Sequence, residues 1–284
     1  MKHESALALI ESVKDYKVLF VGDTIIDEYS YVEPLQRAAK ENIIPARFKT
    51  KEQFAGGIDA AAQHAASFCA MVDVASCGPS TRKVRFVDEN YLRKLYEVHY
   101  NDGRGGRKWQ DFADYDCVVV GDFGHGEIKN AKEVAHAKYL AVSAQTNSAN
   151  IGYNLITKYD RADYIVIDEP EARLAASDKD GHIEDVIHKL AHGRCERFVV
   201  THGSHGAYGY DHGKFCHCKA FTDLVRDTMG AGDAFFAVTA PMSKTGNMED
   251  LLLIGCAAGA IKTGIIGHRA SVTKEALLEF LGTH

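Results

Sequence analysis

Runs of apolar residues at intervals along the first two hundred positions constrain this 284-residue chain more than any other feature. They lie at Lys17–Gly22, Met71–Ser76, Asp116–Gly121, Tyr139–Ser143, Asp163–Asp168 and Arg197–Thr201. A strand with one wet face alternates apolar and polar side chains, whereas a strand covered on both faces is apolar throughout. These runs therefore predict buried parallel strands. Most are separated by alanine-rich or amphipathic stretches, such as Ile58–Phe68, Lys129–His136 and Ile183–His192. Strands alternating with helices over such a length predict an α/β fold with helices on both faces of a mostly parallel central sheet. Ala6, Leu7, Ile10 and Val13, at helical spacing, predict a short amphipathic helix ahead of the first strand.

Two regions break the alternation. Residues 28–53 and 82–100 carry more charge and read with period two, most clearly after Thr81 and after Leu92. They predict exposed antiparallel strands, forming a small sheet inserted into a single domain spanning 1–284 and lying over one end of it. Residues 101–106 read as a flexible connection. Ala207–Tyr210 and Lys214–Cys218 predict a hairpin, and Ala231–Leu281 is helical in pattern, broken by Asn247, Asp250 and a loop at Gly264–Ala270.

Composition excludes several classes. A net charge of −6 argues against a general nucleic-acid binder, which carries a basic face. The longest apolar stretch, Leu251–Ile261, is too short for a membrane span. Met1–Lys14 lacks a secretory cleavage pattern. Seven cysteines scattered from Cys69 to Cys256 do not resemble a disulfide framework, so a reduced cytoplasm is the expected home.

The segment richest in chemistry is Asp227-Thr-Met-Gly-Ala-Gly-Asp233, ahead of a run able to start a helix. Its glycines let main-chain N–H groups approach a ligand, and a helix start is a ready anion site. Asp233 is then a carboxylate at that site's edge. Donors for a phosphoryl group beside a base for an attacking hydroxyl are the minimum equipment for phosphoryl transfer. The plainer alternative is a tight strand-to-helix turn whose acid complements the helix dipole.

Four other segments fall at strand ends or helix starts. Asp23 and Asp27 follow the first strand and suit a polyhydroxylated ligand, or are solvated acids of a turn. Gly56 and Gly57, with Asp59 beyond them, open an alanine-rich helix; they fit either a close ligand or a tight helix entry. Asp168 and Glu171 begin a helix and either complement its dipole or hold Mg²⁺ through water. Thr201, Gly203 and Gly206 end a strand where a nucleotide can pass over the glycines. No Gly-x-x-x-x-Gly-Lys-Ser/Thr loop, strand-end Gly-x-Gly-x-x-Gly or Gly-x-Ser-x-Gly elbow occurs. Cys216, His217 and Cys218 do not predict a zinc site, because neighbours on a strand point to opposite faces.

With those residues in order, the chain resembles the ribokinase-like (PfkB) carbohydrate kinases over nearly its full length. The most specific match is Asp227–Asp233; Gly56–Gly57, Asp168-x-x-Glu171 and Thr201-x-Gly-x-x-Gly206 support it. The resemblance implies a ribokinase-like three-layer α/β/α sandwich with the inserted sheet as a lid, through which homodimers often form. It implies ATP and Mg²⁺, with Asp233 as catalytic base and the Gly230, Ala231 and Gly232 amides as anion hole. The nucleotide would lie along Thr201, Gly203, Gly206, Thr228 and Gly259, and the metal near Asp168 and Glu171. Asp23, Asp27, Gly56, Gly57 and Asp59 would receive the acceptor.

Within that family the chain is most similar to the D-glycero-D-manno-heptose-7-phosphate kinase branch. The similarity lies in Gly22-Asp23-x-x-x-Asp27-x-Tyr29, Lys83-Val-Arg-Phe-Val87 and Gly121-Asp-Phe-Gly-His-Gly126. It implies a sugar-phosphate acceptor and a functional link to a nucleotidyltransferase. The departures fall on the acceptor side. Ala60 or Ala61 replaces the family's Asn, Asp59 is acidic, and Val142–Asn147 stands where Asp-Pro-Lys is usual. A non-catalytic sugar or nucleotide binder, or a kinase for a nucleoside or vitamin, therefore remain alternatives.

Overall fold

The structure, a computed structural model, describes residues 3–37, 40–78, 81–101, 112–221 and 225–283. The connection expected at 101–106 lies, beyond Asn101, outside the described residues. Helix α1 (Glu4–Ser12) leads into β1 (Lys17–Gly22), and β2 (Thr24–Pro34) and β3 (Ala46–Gly57) follow. Next come α2 (Ile58–Ala65), β4 (Met71–Ala75), β5 (Thr81–Asp88) and β6 (Arg93–Asn101). Strands β7 (Cys117–Asp122), β8 (Leu140–Ala144) and β9 (Tyr164–Asp168) precede α3 (Glu169–Ala176) and α4 (Ile183–Ala191). Then β10 (Arg197–Thr201), β11 (Ala207–Asp211) and β12 (Lys214–Cys218) lead to α5 (Ala231–Met242), α6 (Met248–Thr263) and α7 (Lys274–Thr283).

Eight strands form the main sheet in the order β12-β11-β10-β9-β8-β7-β1-β4. Its pairings are parallel from β4 to β10, and the β11–β12 hairpin adds antiparallel strands at one edge. Alternate residues of each parallel strand feed two separate cores. Val18, Phe20, Val119, Val166 and Val199 pack with α1, α2, α5, α6 and α7. Leu19, Val21, Val118, Val120, Ile165 and Val200 pack with α3, α4 and the 128–162 segment. Both faces are therefore dry across β1, β7, β8, β9 and β10, which is why those strands show no alternation, whereas the edge strand β4, expected to be buried, is only part-buried, with Val74 exposed. Among the described residues no helix is long and apolar enough to cross a membrane.

Four expectations need correction. The small sheet, ordered β3-β2-β5-β6, is not wholly antiparallel, because β2 and β5 run parallel. Nor is it wholly exposed. β2 is one of its two inner strands, and Asp27, Glu28, Tyr29, Ser30, Tyr31 and Val32 are all buried. The lid also begins earlier than residue 28, since only Asp23 separates β1 from β2, and β3 continues through Gly57 to the start of α2. Lys129–His136 forms no α-helix; it contains a single 3₁₀ turn at Ala131–Glu133.

The hairpin edge depends on Gly206, which enters β11 at φ 92°. A Cβ there would lie 1.9 Å from the Cys218 carbonyl oxygen and 2.8 Å from the Ala220 nitrogen, both main chain. Neither can yield without moving the strand. Gly206→Ala is expected to cost at least about 2 kcal/mol, combining a disfavoured φ with overpacking. Urea unfolding measures this, and an unchanged midpoint contradicts it.

Candidate active site

The carboxyl ends of β8, β9 and β10 open onto a cavity of about 1010 Å³ that the lid roofs from the other side. Open α/β sheets bind ligands at this edge, where loops and helix starts converge. Ile25, Asp27, Lys83 and Arg85 line it from the lid. Thr201, Gly203 and Gly206 line another wall, with Gly259 and Thr263 of α6, and the 228–233 turn forms the floor.

That turn matches the motif's demands. Gly230 caps α5 in the left-handed region, at φ 73° and ψ 9°. A Cβ on Gly230 would stand 3.3 Å from both His268 and Lys262, whereas one on Gly232 would meet nothing within 4 Å. The first-turn amides of α5 lack intrahelical acceptors by geometry. One is partly engaged, since the Ala231 N–H reaches the Thr228 carbonyl at 3.4 Å. Asp233, in the same turn, lines the cavity and accepts a 2.6 Å hydrogen bond from the Gln145 amide. Burial raises its carboxyl pKa, against the opposing pull of His268, Gln145 and Lys83. A carboxylate short of solvent is a stronger base than a surface one.

The two acids expected to face an acceptor part ways in the structure. Asp27 reaches the cavity, held by Arg85 and, at 3.2 Å, by His268. Asp23 does not line it. Its carboxylate is fully buried and accepts the His125 and Glu127 main-chain N–H groups at 3.3 and 2.9 Å. Burial raises it to about 6, despite those bonds. Asp23 therefore anchors the loop after β7, and the reading of two acids jointly facing a ligand is replaced by Asp27 alone. Gly56 and Asp59 also stand off the cavity wall, which Gly57 alone of that segment reaches. Gly56 acts one step back: a Cβ there would fall 2.1 Å from an Asp27 carboxylate oxygen. Asp59 sits in the first turn of α2 with its enclosed Oδ2 unpartnered among the described residues.

Asp168 and Glu171 both line the cavity, yet they also form the capping box of α3. The Glu171 N–H donates to Asp168 at 2.8 Å, and Glu171 accepts the N–H groups of Asp168 at 3.0 Å and Thr146 at 2.9 Å. Burial and the adjacent Asp168 charge raise the Glu171 carboxyl. Among the described residues no three His, Cys, Asp or Glu side chains are grouped to hold a metal ion. The pair therefore fits a cation only through water, since Glu171 is already engaged by main chain.

Sequence reading missed Lys83, Arg85, Gln145 and His268. Lys83 and Arg85 are two apart on β5, so they share a face, and that spacing was the available signal. His268 and Gln145 come from loops, with no period to betray them. The role of Asp227 was also missed. Its carboxylate accepts from Tyr29 (3.1 Å), Lys94 (2.8 Å), Met229 N–H (3.1 Å) and Gly267 N–H (2.9 Å), tying the lid to both site loops.

Comparison with known proteins matches this geometry. The description "pfkB family carbohydrate kinase" fits residues 130–275, more than half of the chain and the part carrying the 228–233 turn. The chain belongs to the pfkB family of carbohydrate kinases. Kinases of the pfkB family are phosphotransferases. The bifunctional protein HldE of Bradyrhizobium diazoefficiens is 25% identical over 94% of this chain, which spans only 63% of that relative's length. A Thermotoga maritima ribokinase superposes with a TM-score of 0.74 at 17% identity, covering 94% of this chain and 99% of its own. An Arabidopsis thaliana ribokinase superposes with a TM-score of 0.71 at 18% identity, over the same shares. These two likenesses establish the ribokinase fold.

Proposed function

We propose that this pfkB domain transfers the terminal phosphoryl group of ATP to a hydroxyl of a sugar or sugar phosphate, with a heptose-phosphate-like acceptor. One observation carries the reading: Asp233 and the first turn of α5 face the same cavity as the glycines after β10 and the cationic lid residues. ATP is supported by the Arabidopsis ribokinase, which was solved with ribose and ATP. The acceptor class is supported by the HldE relatives and by Lys83 and Arg85 on the cavity wall.

Asp233 takes the proton as the acceptor oxygen bonds to the γ-phosphorus and the bond to the β-phosphate oxygen breaks, releasing ADP. Amides of the turn stabilise charge on the transferring oxygens because they are already oriented. Thr201, Gly203, Gly206, Thr228 and Gly259 face the nucleotide, and Asp27 with Gly57 faces the acceptor. A Mg²⁺ carried by ATP would neutralise phosphate charge, with Asp168 and Glu171 holding it through water. Lid and sheet together exclude water, which suppresses ATP hydrolysis.

Further parts of the proposal concern assembly. The lid exposes Phe48, Tyr91, Tyr96 and Tyr100, which suits pairing with a second copy of this chain. A nucleotidyltransferase partner would correspond to the portion of the bifunctional relatives that this chain does not span. We place the reaction in the cytoplasm.

ADP release across a panel of sugars and sugar phosphates tests the assignment. Binding without turnover on the whole panel returns the chain to the non-catalytic reading. Lys83 sharpens the test, because burial lowers its pKa and, among the described residues, it forms no ion pair with a carboxylate. A phosphate on the acceptor would supply the missing anion. Lys83→Ala is expected to raise KM for the phosphorylated acceptor by about 10- to 100-fold, the scale of a charged hydrogen bond. The KM for the unphosphorylated sugar should hardly move.

A further inference from the structure

Lys262, in the last turn of α6, is wholly buried, and the transfer chemistry leaves it without a task. Its ammonium donates to the carbonyl oxygens of Met229 at 2.8 Å, Gly267 at 2.7 Å and, more loosely, Ile265 at 3.5 Å. No carboxylate bonds it directly among the described residues; burial lowers its pKa, and the nearby Asp227, Asp233 and Asp27 charges work against that. An ammonium has three donors, and here three main-chain carbonyls meet them. This is how a buried cation is solvated by a protein: oxygen dipoles replace its water shell. The C-terminal end of α6 adds its own negative dipole end beside it.

The carbonyls belong to two separate loops. Met229 immediately precedes Gly230, the left-handed cap of the helix that carries Asp233. Gly267 immediately precedes His268, which holds Asp27 on the acceptor side. Gly230 cannot carry a Cβ without pressing on the Lys262 stem and the His268 ring, each 3.3 Å away. One buried charge thus sits where the donor half and the acceptor half of the site meet.

We propose that Lys262 is a positioning residue for phosphoryl transfer, an internal cation that staples the 228–233 turn to the 264–268 loop and so sets the distance between phosphoryl and acceptor. This rests on the reading that the turn receives the phosphoryl group. An apolar side chain of the same length would fill the space but leave three carbonyls unmatched, so the loops should part.

The test compares the parent with Lys262→Met, which keeps the stem, and Lys262→Ala, which opens a hole. Both should keep native circular dichroism and lose kcat by about 10- to 100-fold, the scale of misaligned oxyanion donors, with acceptor KM changed less. Ammonium or methylammonium should restore at least about tenfold of kcat in Lys262→Ala, as expected where the lost group is one oriented by site geometry. Tetramethylammonium, which has no N–H, should restore nothing. Parent-like kcat in both variants overturns the proposal, and so does a loss in a folded Lys262→Ala that no small amine relieves.

Hydrogen exchange supplies a readout independent of turnover. In Lys262→Met the amides of 228–234 and 264–268 should exchange faster while the central strands stay protected. Unchanged exchange in both loops overturns the staple even if Lys262→Ala fails to fold. If the parent itself turns over no acceptor, the kinase reading fails, and exchange alone still decides the staple.

Discussion

Asp233→Asn should fold as the parent does and lose turnover by about two to four orders of magnitude in an ADP-release assay, the range for removing a general base. Asparagine keeps the oxygen that Gln145 contacts but cannot take a proton. Acceptor KM should therefore change little while kcat collapses. Under the proposed mechanism the parent's rate should fall as pH drops through the raised pKa of Asp233, because only an ionised carboxyl can accept the proton. That limb should vanish in the variant.

Stability should move the other way. Burial raises the Asp233 pKa in the folded protein, so folding favours the neutral acid. That contribution is fully present below the unfolded pKa and is lost as pH rises through the folded one. Above that folded pKa the ionised carboxylate is therefore a net cost that Asn removes. Above that pKa the variant should melt no lower than the parent, and any gain should shrink as the solution is acidified. An Asp233→Asn protein with near-parental turnover would remove Asp233 from the mechanism.

What the sequence disclosed and what it hid divide along a physical line. Strands β1, β7, β8, β9 and β10 announced themselves because both faces are covered, and every run, that of the part-buried edge strand β4 included, became a strand within a residue or two of its expected limits. The 227–233 turn was legible because glycine readily takes the left-handed φ of Gly230, where a Cβ would also press on the Lys262 and His268 side chains. Asp23 was misplaced for an instructive reason: the end of a strand fixes where a side chain starts, not what it bonds. Its carboxylate was claimed by the N–H groups of residues 125 and 127, about a hundred positions away. The buried state of β2 was hidden for a related reason. Its acids, Asp27 and Glu28, look like surface residues until Arg85, Arg82 and Gln53 arrive from other strands to satisfy them. Long-range pairing of charge leaves no periodic trace.

Asp27 accordingly carries the largest expected effect on stability. It is buried, its salt-bridge partner Arg85 is nearly so, and His268 closes on its other oxygen. Burial alone would raise its pKa, but the His268 hydrogen bond and the Arg85 charge outweigh that and hold it at about 2. A depressed carboxyl contributes stability that is present above its unfolded pKa and is lost as pH falls through the folded one. From an ordinary 3.8 down to about 2, the contribution is roughly 2 kcal/mol at neutral pH. Asp27→Ala also leaves Arg85 and His268 short of an anion. Glu97 still reaches Arg85 at 2.5 Å, so the total should fall near the lower end for breaking a buried pair, about 3 kcal/mol. Urea unfolding should show that gap at pH 7 and see it narrow as pH approaches 2, where the parent's own carboxyl takes up its proton. A gap that ignores pH would mean that Asp27 matters for packing alone. Asp27→Asn separates the roles further: it fills the space beside Gly56 but gives up the charge, so it should keep the packing and lose the acid-sensitive part of the stability.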